Sequence, residues 1–210
     1  MFPRLLICEG AEDHWFLHKL IETWKIQRFH IQPAGGNTKF ANAISQFELE
    51  KTTAFNGLAD VVVVADNNDA PGARFDNACA EIRKAFGASA VPSGPQVASK
   101  SKPRCSVLMV PWTGVEGTLE GLCVDAAKDA DKTTGAHVDA FLATLKAETW
   151  QSNSRFGKAW LRSNLAARCA VDPFVPLGKA FNDKKHAGLI PIKHKSFKQI
   201  ADFLAKVEKT

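Results

Sequence analysis

Acidic side chains follow two apolar segments of this chain, in positions typical of a site that handles charged ligands. The run VVVVADNND, residues 61–69, is strand-like at first and ends in Asp66 and Asp69. An earlier run, LLICEG, residues 5–10, ends in Glu9-Gly10. Continuous apolar runs of this kind are typical of central parallel strands covered on both faces. Because parallel sheets place ligands beyond the carboxyl ends of their strands, these carboxylates are candidates for the functional site.

Carboxylates that meet at one edge of a sheet repel each other, so they either share a proton or bind a hard cation. If the strands that end in Glu9 and Asp66 are neighbours, both carboxylates lie within reach of one cation. Three further oxygen ligands can join them: Asn68, Asp69 and Glu120. Such a set suits magnesium, manganese or calcium. A structural role stays open, since Glu9 and Asp69 each precede a predicted helix, where carboxylates cap backbone amides.

The elements that must position these residues alternate along the first part of the chain. Strands are predicted at residues 4–8, 29–32, 59–65 and 105–110, and helices at 12–25, 38–51, 75–86 and 117–128. This alternation predicts an α/β fold with a central parallel sheet of about four strands, right-handed crossovers and flanking helices. Residues 87–103 are rich in Ser, Pro, Gly and Lys, which predicts a long loop with room for a short hairpin.

The last part of the chain has helical periodicity without a strand signal. Apolar residues at helical spacing indicate helices around residues 138–145, 154–169 and 197–207. We expect residues 1–128 to form the α/β core and residues 129–210 to form a C-terminal helical extension packed on it, as one compact unit.

Composition excludes several classes of protein. No apolar run approaches the ~18 residues of a membrane helix and no signal peptide precedes the first strand, so we expect a cytoplasmic protein without a membrane partner. The five cysteines lack CxxC spacing, which disfavours a zinc site. Cys8 is disfavoured as a catalytic thiol because the adjacent Glu9 opposes thiolate formation. The acidic turn after the first strand does not suit a dinucleotide, and a Walker A loop is absent.

The whole chain has a net charge of +5. Its positive charge is concentrated in the last quarter of the sequence. Five lysines there are candidates for contacts with a nucleic-acid backbone: Lys179, Lys184, Lys185, Lys193 and Lys195. Basic patches suit phosphates, whereas solvated surface lysines are the plain alternative.

Three short motifs, taken in order, resemble the TOPRIM family. Glu9-Gly10 after an apolar strand, followed by Asp13, resembles its first motif. VVVVADNND resembles the second motif, an apolar strand that ends in Asp-x-Asp. The segment Gly117–Glu120, GTLE, resembles the Gly-x-Leu-Glu segment of TOPRIM proteins related to the OLD-family nucleases. The chain is therefore similar to small stand-alone bacterial and archaeal proteins of this type, over residues 4–122.

This resemblance implies a TOPRIM-like (Rossmann-like) sheet and Mg²⁺- or Mn²⁺-dependent chemistry on a phosphodiester. It implies that Glu9 is a metal ligand or general acid/base and that Asp66 is the first aspartate of Asp-x-Asp. Glu120 matches the additional glutamate of the OLD-like branch. Lys158 is the candidate for the lysine that this branch uses, although a solvent-facing helix lysine is the simpler interpretation.

The chain departs from the family pattern at Asn68, which stands in place of the second aspartate. Asn coordinates through its carbonyl oxygen but brings no charge, and Asp69 is the candidate to replace it. We therefore expect a metal-dependent nuclease, or a catalytically degenerate module that binds a nucleotide, a nucleic acid or a partner protein. Both fit a role in phage defence, with an ATPase as a possible partner. A phosphatase or phosphotransferase is a third interpretation, but the Asp-x-Asp-x-Thr pattern is missing.

Overall fold

The computed structural model describes residues 4–26, 29–50, 58–112, 114–149, 151–182, 186 and 188–209. Its strands are β1 (Arg4–Cys8), β2 (Phe29–Pro33), β3 (Asp60–Asp66) and β4 (Arg104–Val110). Its helices are α1 (Ala11–Trp24), α2 (Phe40–Glu50), α3 (Pro71–Phe86), α4 (Leu119–Ala130), α5 (Lys132–Thr144), α6 (Asn153–Arg168), α7 (Leu177–Asn182) and α8 (Lys198–Lys209). Within this part of the chain, every helix is too short or too polar to cross a membrane.

The four strands form one parallel sheet in the order β2–β1–β3–β4, which confirms the predicted α/β fold. Ile7 of β1 lies beside Val63 of β3, and Asp66 at the end of β3 lies beside Val110 of β4. The chain moves outward from β1 in both directions, so the strand order reverses between β1 and β3. Ligands of open parallel sheets bind in the crevice at such a switch point.

Helices cover both faces of the sheet, which explains why its strands are apolar throughout. Successive residues of a strand point to opposite faces. Leu6 therefore joins a core formed with α1 and α4–α8, while Leu5 joins a second core formed with α2 and α3. The helices that follow residue 131 thus share a core with α1 and α4. The predicted boundary after Lys128 lies inside α4, which continues to Ala130.

Residues 87–103, all of which the structure describes, run along the outer edge of β4. They form a loop, as predicted, but this loop contains no hairpin. A short 3₁₀ helix, Ala88–Ala90, comes first. Gln96 N then donates a hydrogen bond to Val107 O at 2.8 Å, and Ser99 N donates to Cys105 O at 2.8 Å. These bonds satisfy part of the backbone of an edge strand, whose unpaired groups would otherwise invite association with another chain.

A buried ion cluster lies at the amino-end edge of the sheet. Asp60, only 3% exposed, accepts hydrogen bonds from Arg4 Nε at 3.0 Å and from Arg104 Nε at 2.8 Å. Arg4 Nε also donates to the carbonyl of Val207 at 3.1 Å, which ties α8 to the sheet. The carboxylate is therefore paired with two guanidinium groups, as buried charges require.

Candidate functional site

An open cleft of about 420 Å³ lies at the carboxyl-end edge of the sheet, beside the switch point between β1 and β3. The ends of these strands line it, together with the first turns of α1 and α4, the glycine loop after β2, and α6. Its acidic lining residues are Glu9, Glu12, Asp13, Asp66 and Glu120. The sheet thus gathers the carboxylates that follow its strands, as the strand order requires.

Glu9 follows β1 directly and is held from two directions. Its Oε1 accepts a hydrogen bond from Asp66 N at 3.2 Å and forms an ion pair with the guanidinium of Arg74. Arg74 Nε also donates to the carbonyl of Asp66 at 3.0 Å. Arg74 therefore links the ends of β1 and β3 and compensates one charge of the cleft. Sequence patterns do not reveal it, because a single arginine on an amphipathic helix carries no signal.

Asp66 faces the cleft and also supports the start of α4. Its Oδ1 accepts a hydrogen bond from Leu119 N, the first residue of that helix, at 3.0 Å. Burial raises the pKa of Asp66 well above its usual range, and the nearby carboxylates of Asp13, Glu120 and Glu9 raise it further. The ionised form is therefore costly unless a cation compensates it.

Asp13 is a second carboxylate with a raised pKa, although the sequence marked it only as part of a motif. Its Oδ2 accepts a hydrogen bond from Gly10 N at 2.8 Å, which caps α1. Burial raises the pKa of Asp13 to about 6, and the charges of Glu9 and Glu120 add to this effect. The acidic residues of the cleft thus repel each other at neutral pH, and a bound cation would relieve that repulsion.

Cys8 lies beneath the cleft and is fully buried. Burial raises the pKa of its thiol, and the charge of Asp13 raises it further. The thiol is therefore protonated at neutral pH, which agrees with the expectation that Cys8 is not a nucleophile.

Glu120 and Lys158 are brought together by a close crossing of α4 and α6. A Cβ at Gly157 would lie 3.3 Å from the Cα of Gly121, so the helices approach closely where both lack a side chain. Lys158 Nζ lies 3.9 Å from Glu120 Oε1, and its side chain is 46% exposed. The structure thus brings Lys158, a candidate from the sequence, to the wall of the cleft.

Asn68 and Asp69 are engaged outside the cleft. Asn68 has a φ of 49° and exchanges backbone hydrogen bonds of 2.6 and 2.7 Å with Gly117. Asp69 Oδ1 accepts a hydrogen bond from Ser154 Oγ at 2.8 Å at the start of α6, and hydrogen bonds from Ser154 and Ser152 lower the pKa of Asp69. Asp69 therefore anchors α6 and does not line the cleft.

The carboxylates share one cleft without surrounding a single point. Among the described residues, no three His, Cys, Asp or Glu side chains are placed to hold a metal ion in the arrangement seen. Glu9 and Asp66 are held by backbone hydrogen bonds. Glu120 contacts Lys158 at 3.9 Å, beyond hydrogen-bond distance, so its side chain can turn towards a ligand. The donor set consists of oxygens alone and fits a hard divalent cation after such a turn.

Basic side chains reach the cleft from α6. Arg155, Lys158 and Arg162 recur at intervals of three and four residues, which places them on one face of the helix. Lys158 lines the cleft, and Arg162 donates hydrogen bonds of 2.9 and 3.1 Å to the carboxylate of Glu12 on the opposite wall. This helical spacing is a signal from which the basic face could have been found in the sequence.

Lys179 lies on α7, exposed to solvent, two residues after Leu177, which lines the cleft. Residues two apart on a helix point in different directions, so Lys179 does not share the face of Leu177 and does not line the cleft. Lys184 and Lys185, also predicted as nucleic-acid contacts, lie outside the described residues.

Lys193 and Lys195 are exposed but lie away from the cleft. Between them, His194 Nε2 contacts Asp129 Oδ2 at 2.9 Å near the carboxyl end of α4. Glu120 is at the opposite end of that helix, about 14 Å away at ~1.5 Å per residue. These two lysines therefore do not extend the basic face of α6.

The chain belongs to the family described as "protein of unknown function (DUF3226)", whose model matches residues 3–209. That match covers the sheet, the cleft and the C-terminal helices together. Searches of the curated proteins and of the solved structures find no match.

Proposed function

We propose that this member of the DUF3226 family is a metal-dependent nuclease, or a related phosphodiester-processing protein of the TOPRIM type. The observation that carries the proposal is the group of four carboxylates that line one cleft at the switch point of the sheet: Glu9, Asp13, Asp66 and Glu120. Burial and mutual repulsion raise the pKa of Asp13 to about 6. A site that holds such repulsion favours a divalent cation, with Mg²⁺ or Mn²⁺ as the candidates.

Glu9, Asp66 and Glu120 are the residues that would hold the cation. A bound cation would polarise the scissile phosphate, stabilise the leaving oxygen and make an attacking water more acidic. The hydrogen bonds from Asp66 N to Glu9 and from Leu119 N to Asp66 keep two of these carboxylates in place. Once Glu120 turns to its ligand, Lys158 Nζ is free to donate hydrogen bonds to a non-bridging phosphate oxygen.

The basic face of α6 supplies the contacts that would hold a nucleic-acid backbone. Arg155 lies one turn before Lys158 on this face, while Arg162, one turn after it, is engaged by the carboxylate of Glu12. Binding through such residues releases counterions, so affinity falls as salt rises. In this proposal the protein acts in the cytoplasm on DNA or RNA, within a phage-defence system and with an ATPase as partner.

The test is cleavage of labelled DNA and RNA with Mg²⁺ and with Mn²⁺. Asp66→Asn keeps an oxygen acceptor for Leu119 N but removes the charge, so we expect cleavage to fall by about 100-fold or more. Asp69→Asn is the matched control, because the Asp69 carboxylate bonds to Ser154 and does not line the cleft. Folded wild-type protein that cuts no substrate with either metal would contradict the proposal, and so would equal activity in Asp66→Asn.

A binding module without turnover is the second candidate, and two observations favour it. The ion pair with Arg74 already compensates Glu9, and Asn68 supplies an amide where a second carboxylate is expected. This candidate predicts saturable manganese binding by calorimetry together with no cleavage of any nucleic acid. Metal-dependent cleavage that is lost in Asp66→Asn would exclude it.

A further inference from the structure

Phe174 is the most exposed large apolar side chain among the described residues, with 88% of its surface open to solvent. It lies in the loop between α6 and α7, with Pro173 before it and Pro176 two residues after. Val175 and Leu177, its neighbours in the loop and on α7, fill the core and are at most 1% exposed. The core therefore does not require an aromatic ring at position 174, and exposure of the ring to water is unfavourable.

The backbone on both sides of Phe174 is held by hydrogen bonds. Phe174 N donates to Asp172 Oδ1 at 2.9 Å, and Val175 N donates to Asp172 O at 3.1 Å. Arg162 Nη1 donates to Val175 O at 3.2 Å, which ties the loop to the basic face of α6. The ring thus projects from a fixed part of the chain.

The same loop is attached to the wall of the cleft. Leu177 N donates a hydrogen bond to Glu12 Oε1 at 3.2 Å, and both residues line the cleft. The helices α7 and α1 pack tightly here, since a Cβ at Gly178 would lie 2.7 Å from the Trp15 ring. Three residues of chain span at most about 10 Å, so Phe174 lies within that distance of Leu177.

We infer that Phe174 is a stacking platform for an unpaired nucleobase, and that single-stranded nucleic acid is the substrate class of the cleft. This inference rests on the proposed function, which places a phosphodiester beside the carboxylates. Single-strand binding surfaces combine exposed aromatic rings, on which bases stack, with basic side chains that contact the backbone. Arg162 donates a hydrogen bond to the carbonyl of Val175, the residue after Phe174, and Lys158 lines the same cleft. A duplex hides the faces of its bases, so the ring selects single strands.

The test is fluorescence anisotropy with a labelled 12-nucleotide single strand. It is measured in calcium, and a gel verifies that the strand stays intact. A matched strand without bases keeps the backbone but lacks the bases that would stack on the ring. We expect Phe174→Ala to weaken binding of the base-containing strand by about tenfold. Phe174→Trp should retain binding, and the strand without bases should bind wild type and Phe174→Ala equally. Phe141→Ala is the matched control, because Phe141 is a 55% exposed ring on α5 that does not line the cleft.

Three results of the binding measurement would overturn the inference. The first is equal binding of the base-containing strand by wild type and Phe174→Ala, which would leave a partner protein as the occupant of the ring. The second is an equal loss for strands with and without bases, and the third is the absence of binding to any strand. A cleavage assay in manganese distinguishes failure of this inference from failure of the proposed function. If binding depends on Phe174 but no strand is cleaved, the nuclease proposal alone is contradicted. If cleavage of single strands is the same in wild type and Phe174→Ala, the stacking inference alone is contradicted.

Discussion

The two edges of the sheet use charge in opposite ways. At the amino-end edge, one buried carboxylate, Asp60, is paired with two arginines. At the carboxyl-end edge, Asp13 and Asp66 lie beside Glu9, which pairs with Arg74, and beside Glu120, whose carboxylate is 3.9 Å from Lys158 Nζ. The first arrangement stabilises the fold, whereas the second keeps unfavourable repulsion inside a cleft. The difference teaches that charge at one edge is balanced within the fold, whereas charge at the other edge is balanced only in part, and the proposed cation would balance the rest.

The largest effect that the comparison predicts is at the amino-end edge. Asp60→Asn removes the partner of two arginines and leaves buried charge uncompensated, so we expect the free energy of unfolding to fall by about 3 kcal/mol or more. Urea denaturation measures it. Asp202→Asn, which breaks an exposed ion pair with Lys198, is the control and should cost less than about 1 kcal/mol. Similar losses in both variants would contradict a structural role for Asp60.

A smaller effect is expected at Arg74, which pairs with Glu9 at the carboxyl-end edge. Arg74→Met keeps an apolar stem but leaves Glu9 beside the other carboxylates, so stability at pH 7 should fall by about 2 kcal/mol. Manganese should restore part of this loss, because it binds the folded protein and compensates the same charge. Thermal melts of Arg74→Met with and without manganese check this. A loss that manganese leaves unchanged would mean that Arg74 has no electrostatic role in the cleft.

The third effect has the opposite sign and depends on pH. The pKa of Asp13 is raised to about 6, so folding favours its protonated form. That stabilisation is complete below about pH 4 and is lost as pH rises through 6. Asp13→Asn mimics the protonated form and keeps an oxygen acceptor for Gly10 N. We expect Asp13→Asn to be more stable than wild type at pH 7.5, by up to about 3 kcal/mol for a pKa raised from 3.8 to about 6, and equal to it at pH 4. Denaturation curves at both pH values measure the difference, and a difference independent of pH would contradict it.

Local sequence patterns predict the sheet and much of the acidic cleft. The strands that lead to Glu9 and Asp66 are apolar throughout, and parallel strands must present their carboxyl ends at one edge. The pattern cannot predict where Asp69 points, because its bond to Ser154 joins segments 85 residues apart. The roles of Arg74 and Phe174 cannot be predicted from the sequence for the same reason. Each role depends on which distant segments of the chain lie beside the residue, and periodicity carries no information about such contacts.

Calorimetric titration of manganese into the protein tests the central claim most directly, since the claim is that the carboxyl-end edge holds a divalent cation. We predict saturable binding at pH 7.5 that is lost in Asp66→Asn and retained in Asp69→Asn. Binding should weaken at pH 5.5, because protons compete for carboxylates whose pKa is raised. Absence of saturable binding, or equal binding by wild type and Asp66→Asn, would contradict the account.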